Sequence, residues 1–230
     1  MDERVIGLDL GLSQDYTAIA VVRRVEFEGT AEEREVWEQR RDYYTEHHLP
    51  LPDYLVTQPV YHLVGLERPQ LGTTYPMIVE GVKQIVGESD EPTRLVVDST
   101  GVGRPVVDML KQAGLKPLPV LITSGSQVTT EKGTLRVPKR DIIVASLALL
   151  QAGRLKLAAD LPLVQTLADE LLNYRLTITT AGNETFEPWR EGQHDDLLFA
   201  LCLAVWLSDK KPHRPFPNFT VGAPAFTGGR

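Results

Sequence analysis

Apolar and polar positions divide the chain into β-branched runs near the N-terminus and runs of helical period further on. Residues 5–10 and 17–25 are apolar and β-branched, and "GLSQD" between them is a short Gly/Ser/Asp turn, so the chain is predicted to open as a hairpin. The charged stretch that follows either extends that hairpin or forms a loose insertion. "YLVTQPVYHLVGLE" predicts a third strand, with Pro59 at a bend or an edge position. Three consecutive strands predict an antiparallel meander.

The pattern then changes. "TYPMIVEGVKQIVG" has helical spacing, "TRLVVDST" is a short buried strand, and "GRPVVDMLKQAG" is a helix ending at Gly114, with "LPVLI" a further strand. Strand, helix, strand at this spacing is a βαβ crossover, so the later strands are predicted parallel and the sheet mixed. "TSGSQVTTEKGTLR" shows no clear period and reads as a polar loop. In "VPKRDIIVASLALLQAGRLKL", Pro138 marks a helix start and Gly153 lies just past its end. A helix over residues 162–174 leads to the strand "RLTITT" and the turn "AGNE". The last helix opens at "GQHDD" and is apolar on nearly all sides, which predicts that it is buried.

Three aspartate positions break this pattern. Asp9 interrupts the first strand, Asp98 ends "RLVVD", and Asp195 and Asp196 open the buried final helix. A carboxylate in a half-buried strand costs several kcal/mol unless something pairs with it. Asp98, Asp195 and Asp196 each have an alternative role as helix caps, but Asp9 has no helix immediately after it to cap. If the crossover places the Asp98 strand beside the first strand, like charges approach and call for a cation. Clustered hard oxygen ligands select Mg²⁺ or Mn²⁺, and a pair of such ions activates water against a phosphodiester.

Composition narrows the picture. A chain of 230 residues, 42% hydrophobic and 24% charged, is ordinary for a globular protein and allows one sizeable core. The longest apolar run, "LLFALCLAVWL", is well short of the roughly 20 residues of a membrane span, so no membrane partner is expected. The charged N-terminus enters a strand directly, without a leader, which predicts a cytoplasmic protein. The lone Cys202, inside an apolar run, reads as a core residue, and His47 and His48 as surface residues. A net charge of −7 argues against nucleic-acid binding by charge alone. Between residues 103 and 175, however, ten basic residues stand against six acidic ones, a local charge of about +4. Lys132, Arg136, Lys139 and Arg140 flank the polar loop there and are candidate phosphate contacts, with solvated surface charge as the alternative.

The antiparallel opening, the mid-strand acid of "GLDLG", the strand-ending acid of "VVDSTGVG" and the closing "HDD" helix together resemble the ribonuclease H-like nuclease fold. This is a three-layer α/β fold with a mixed central sheet flanked by helices. Within that superfamily, "DSTGVGRPVVDMLKQAG" and "GQHDDLLFALCLAVW" resemble the C-terminal nuclease domain of phage large terminase subunits. The resemblance implies a nuclease domain over residues 1–208 and a Pro/Gly-rich tail over 209–230. It implies an endonuclease cutting double-stranded DNA during viral genome packaging, in the host cell cytoplasm. Asp9, Asp98, Asp195 and Asp196 become catalytic metal ligands for two Mg²⁺ or Mn²⁺ ions. Asp196 is favoured over Asp195 as the direct ligand, because the small residue Ala200 stands four positions later. His194 is either an outer partner of the metal site or a surface residue.

Full terminases also carry an ATPase motor with a Gly-rich loop ending Gly-Lys-Ser/Thr, and no such loop occurs here. An ATPase motor domain, a portal and a small terminase subunit are therefore expected partners rather than parts of this chain. The chain reads as an excised nuclease domain or a free-standing relative. Rival readings are a Holliday-junction resolvase, an actin-like or sugar-kinase ATPase whose phosphate loop "DLGLSQDYTAIAVV" resembles, and a non-catalytic DNA-binding module.

Overall fold

The computed structural model describes residues 2–11, 15–52, 55, 58–101, 103–178, 184–188 and 194–210. In chain order these form β1 (Glu3–Asp9), β2 (Ala18–Val25), α1 (Ala31–Glu46), β3 (Val60–Glu67), α2 (Tyr75–Gly87), β4 (Thr93–Asp98), α3 (Gly103–Gln112) and β5 (Pro117–Thr123). There follow β6 (Thr129–Glu131), β7 (Thr134–Pro138), α4 (Lys139–Gln151), β8 (Leu155–Leu157), α5 (Val164–Asn173), β9 (Tyr174–Ile178), β10 (Glu184–Pro188) and α6 (Asp196–Asp209). The expected tail, 209–230, lies outside the described residues from 211 on, as does the expected "AGNE" turn at 181–184 apart from Glu184, while Asp209 still belongs to α6.

The main sheet has the order β6-β7-β5-β4-β1-β2-β3-β8, and β9 and β10 pair separately. The first three strands are antiparallel to one another, whereas β1, β4, β5 and β7 run parallel. The mixed sheet is as expected from the switch between hairpin and crossover connections.

Alternation along the central strands splits the core into two layers. Val5, Ala18, Ala20 and Val96 pack with α6 on one face. Ile6, Leu8, Ile19 and Val97 pack with α2 and α3 on the other. Both faces of β1 are therefore covered, which explains its near-continuous burial. Helix α6, buried from Asp196 to Ser208, lies across β1 and β2 and is covered in turn by α4 and α5. Gly7 makes that crossing possible: a Cβ there would stand 2.0 Å from the Ala200 carbonyl oxygen.

Two local expectations are corrected. The charged stretch after β2 is neither a hairpin extension nor a loose insertion but the helix α1, so a helix separates the second and third strands. A capping box starts it: Thr30 Oγ1 accepts from Glu33 N–H and Glu33 Oε2 accepts from Thr30 N–H. Trp37, buried and stacked on Phe27 with ring centroids 5.5 Å apart, anchors it. The polar loop before α4 contains the β6–β7 hairpin, whose turn uses positive φ at Lys132 (49°) and Gly133 (79°).

Candidate metal centre

Asp9 and Asp98 end neighbouring parallel strands. The register pairs Leu8 with Val97, so the two carboxylates come next, side by side, at the same edge of the sheet. Each also shares the face of its strand that packs on α6, Asp9 with Val5 and Gly7, and Asp98 with Val96. Two residues along the strand from Gly7 is roughly 7 Å, and one turn of helix back from Ala200 is roughly 5 Å. The tight Gly7–Ala200 crossing thus brings the first turn of α6, with Asp195 and Asp196, onto the edge that Asp9 occupies.

The electrostatics follow from this convergence. Burial pushes the Asp9 carboxyl well above the usual range, and Asp98, Asp196, Asp195 and Asp15 push it further in the same direction. Burial likewise raises Asp98, against hydrogen bonding by Thr100 and the charge of Lys139. Asp195 is raised by burial and opposed first by Lys139. Asp196 is pushed up to about 6 by burial, with Arg68 and His194 pulling the other way.

The capping alternatives separate at this point. Asp98 Oδ1 accepts from Thr100 N–H at 2.8 Å, a local turn around the strand end. Asp195 occupies the N-cap of α6, yet its side chain makes no capping hydrogen bond. Asp196 Oδ2 is buried with no hydrogen-bond partner; His194 Nδ1 lies 3.6 Å away and the Arg68 guanidinium Nη2 3.9 Å away. His194 is also edge-on to Tyr16, with ring centroids 4.9 Å apart.

Several groups at this edge escaped the sequence reading. Asp15 faces the acids from the segment between β1 and β2. Arg68 follows β3, whose end lies at the same edge, and is paired with Glu170 of α5. The signal for Arg68 was available in outline: it is a charge at a strand end, as Asp98 is. Nothing in the helical pattern "LADELL" marks Glu170 as more than a surface residue.

The basic candidates have different surroundings. Lys139, at the start of α4 just beyond β7, lies among the acids, lowering Asp98 and Asp195, with its Nζ 4.6 Å from the Phe199 ring. Arg136 is engaged by Glu131 across the β6–β7 hairpin at 3.2 Å. Lys132 is exposed at the hairpin turn, and Arg140 is exposed on α4.

Among the described residues no three His, Cys, Asp or Glu side chains close into a ligating cluster. The donor chemistry nevertheless fits a hard divalent cation, because four carboxylates share an edge, each is raised by burial, and Asp196 Oδ2 is left without a partner.

The mixed sheet flanked by helices is the ribonuclease H-like fold of the solved structures it superposes on. The relatives are large terminase subunits and large terminase nucleases of phages. The terminase large subunit of Thermus virus P23-45 is 29% identical over 143 residues, covering 62% of this chain and 26% of that protein. The crystal structure of the large terminase nuclease from the thermophilic phage G20c superposes with a TM-score of 0.55 at 20% identity, covering 88% of this chain and 81% of that one. The same nuclease with bound magnesium gives 0.53 at 22% identity, covering 89% and 80%. No family model matches the sequence. The resemblance to large terminase subunits seen in the "DSTGVG" and "HDD" segments therefore recurs over much of the chain, which spans about a quarter of the length of the curated relative it matches.

Proposed function

We propose that this chain is the nuclease part of a large terminase subunit, a metal-dependent endonuclease that cuts double-stranded DNA during viral genome packaging. The observation that carries the reading is the placement of Asp9, Asp98 and the Asp195–Asp196 pair on one sheet edge. The magnesium bound by the G20c nuclease supports it.

Asp9, central among the acids, would hold Mg²⁺ or Mn²⁺ ions together with Asp98, Asp196 and Asp195. Ions held there supply an activated water and offset charge on the phosphodiester. The protein's own groups do the rest. Burial of the carboxylates limits the water around them and strengthens their hold on cations. Lys139 places a positive charge beside an otherwise acidic edge, where a DNA phosphate would approach. Contacts of that kind are sequence-independent and weaken with salt. An ATPase motor domain, a portal and a small terminase subunit are the partners that the packaging role implies.

Plasmid cleavage with Mg²⁺, Mn²⁺ or chelator, for wild type and Asp9→Asn, tests the assignment. Metal-dependent cutting that persists in Asp9→Asn rules out this site. Tight ATP binding without any DNA cleavage favours the actin-like reading instead.

A further inference from the structure

The first turn of α6 carries two carboxylates, but its cap comes from another helix. Glu170 Oε2, on α5, accepts from the buried Leu198 N–H at 2.9 Å. Its other oxygen, Oε1, accepts from Arg68 Nη2. Both side chains are withdrawn from solvent, Arg68 to 13% and Glu170 to 6% exposure. The guanidinium also lies 5.1 Å from the centre of the Tyr16 ring, and the nitrogen that holds Glu170 points on toward Asp196 Oδ2, 3.9 Å away.

Glu170 is thus satisfied on both oxygens, once by the helix that carries Asp196 and once by the cation that faces Asp196. A buried carboxylate so engaged cannot shift without breaking a charge-assisted bond. Arg68 in turn stands close enough to attract Asp196 but leaves Oδ2 without a hydrogen bond. A planar guanidinium holds Glu170 through Nη2 while its face rests on the Tyr16 ring, a geometry that the compact ammonium of lysine reproduces only in part.

We propose that Arg68 is a positioning residue, clamped by Glu170 and Tyr16, that holds Asp196 and the first turn of α6 ready to ligate a divalent ion. This rests on the metal-dependent reading above. Because Glu170 caps α6, the clamp ties the placement of Asp196 to the packing of α5, an element that contributes no ligand.

The test is calorimetric titration of Mn²⁺ into the chelator-treated full chain, with thermal unfolding of each variant recorded alongside. Arg68→Ala is expected to weaken Mn²⁺ binding by about tenfold or more, in the range of outer-shell partners of metal ligands. Arg68→Lys is expected to restore only part of the loss. Glu170→Gln keeps an acceptor for Leu198 N–H but loses the charge that holds Arg68, and is expected to weaken binding to a similar degree. A folded Arg68→Ala protein whose Mn²⁺ affinity is within twofold of wild type, or tighter, overturns the proposal, however far its melting temperature has fallen. If Arg68→Ala does not fold, Glu170→Gln carries the same comparison. Failure of the wild type to bind Mn²⁺ overturns the metal reading instead. The positioning claim is then decided by a double-mutant stability cycle of Arg68→Ala with Asp196→Asn: coupling supports it and additivity overturns it.

Discussion

Gly7 and Ala200 meet so closely that no side chain fits between strand and helix: a Cβ on Gly7 would lie 2.0 Å from the Ala200 carbonyl oxygen and 2.9 Å from Ala204 N. In an ordinary strand, replacing glycine by alanine gains about 0.5–1 kcal/mol of backbone entropy. Here the contact is with backbone, which cannot rotate away. Gly7→Ala is therefore expected to cost about 1–3 kcal/mol by overpacking and to displace Asp196 from Asp9. Urea unfolding and metal-dependent cleavage measured on the same protein check both effects, and cleavage is expected to fall further than stability.

The clustered acids also fix the sign of the pH dependence without metal. Asp9, Asp98, Asp195 and Asp196 are all raised in the folded state, Asp196 to about 6. Each therefore favours folding while protonated, below its ordinary value near 4, and loses that contribution as pH rises through its folded value. The melting temperature of the chelated protein is expected to fall between about pH 4 and pH 7. Millimolar Mg²⁺ or Mn²⁺ is expected to reverse the fall near neutral pH, because a ligand bound only by the folded state stabilises it.

Asp9→Asn separates stability from activity. Removing the charge that four other aspartates oppose is expected to raise the melting temperature of the metal-free protein at pH 7–8, a range above the usual carboxylate value. The same substitution is expected to reduce plasmid cleavage to the level of the chelator control. A variant both less stable and fully active would refute the placement of Asp9 at the centre of the cluster.

Among the basic residues, Lys139 is singled out by its position beside Asp98 and Asp195. Lys139→Ala is expected to weaken DNA binding and to reduce the slope of log affinity against log salt by about one. Arg136→Ala, which removes a side chain already engaged by Glu131, is expected to change little. Fluorescence anisotropy with a duplex at several salt concentrations, in Ca²⁺ to prevent cutting, compares the two.

What was legible in the sequence was whatever broke a pattern. Asp9 stands out because a charge in an apolar strand needs a partner, and Asp98 and Asp196 stand out because each ends or opens a buried element. The crossover logic then predicted β4 beside β1, as the register shows. Helix α1 left no such mark, since Trp37 is its one buried residue and its stability rests on the Thr30–Glu33 capping box rather than on an apolar stripe. Glu170 left no mark for a related reason, and Arg68 only that of a charge at a strand end. Each has the charge expected of a surface residue, and only the lie of α5 against the start of α6 turns them inward.

The dependence of α6 on the sheet has a consequence for synthesis. This helix has no polar face on which to rest in water, and its docking partners, β1 and β2, were made nearly two hundred residues earlier. The carboxylates at positions 9 and 98 therefore wait, while the intervening chain is made, for a helix that settles through contacts of very long sequence separation. A chain made only as far as β4 holds half the acid set, so cutting activity is expected to switch on only after α6 has docked.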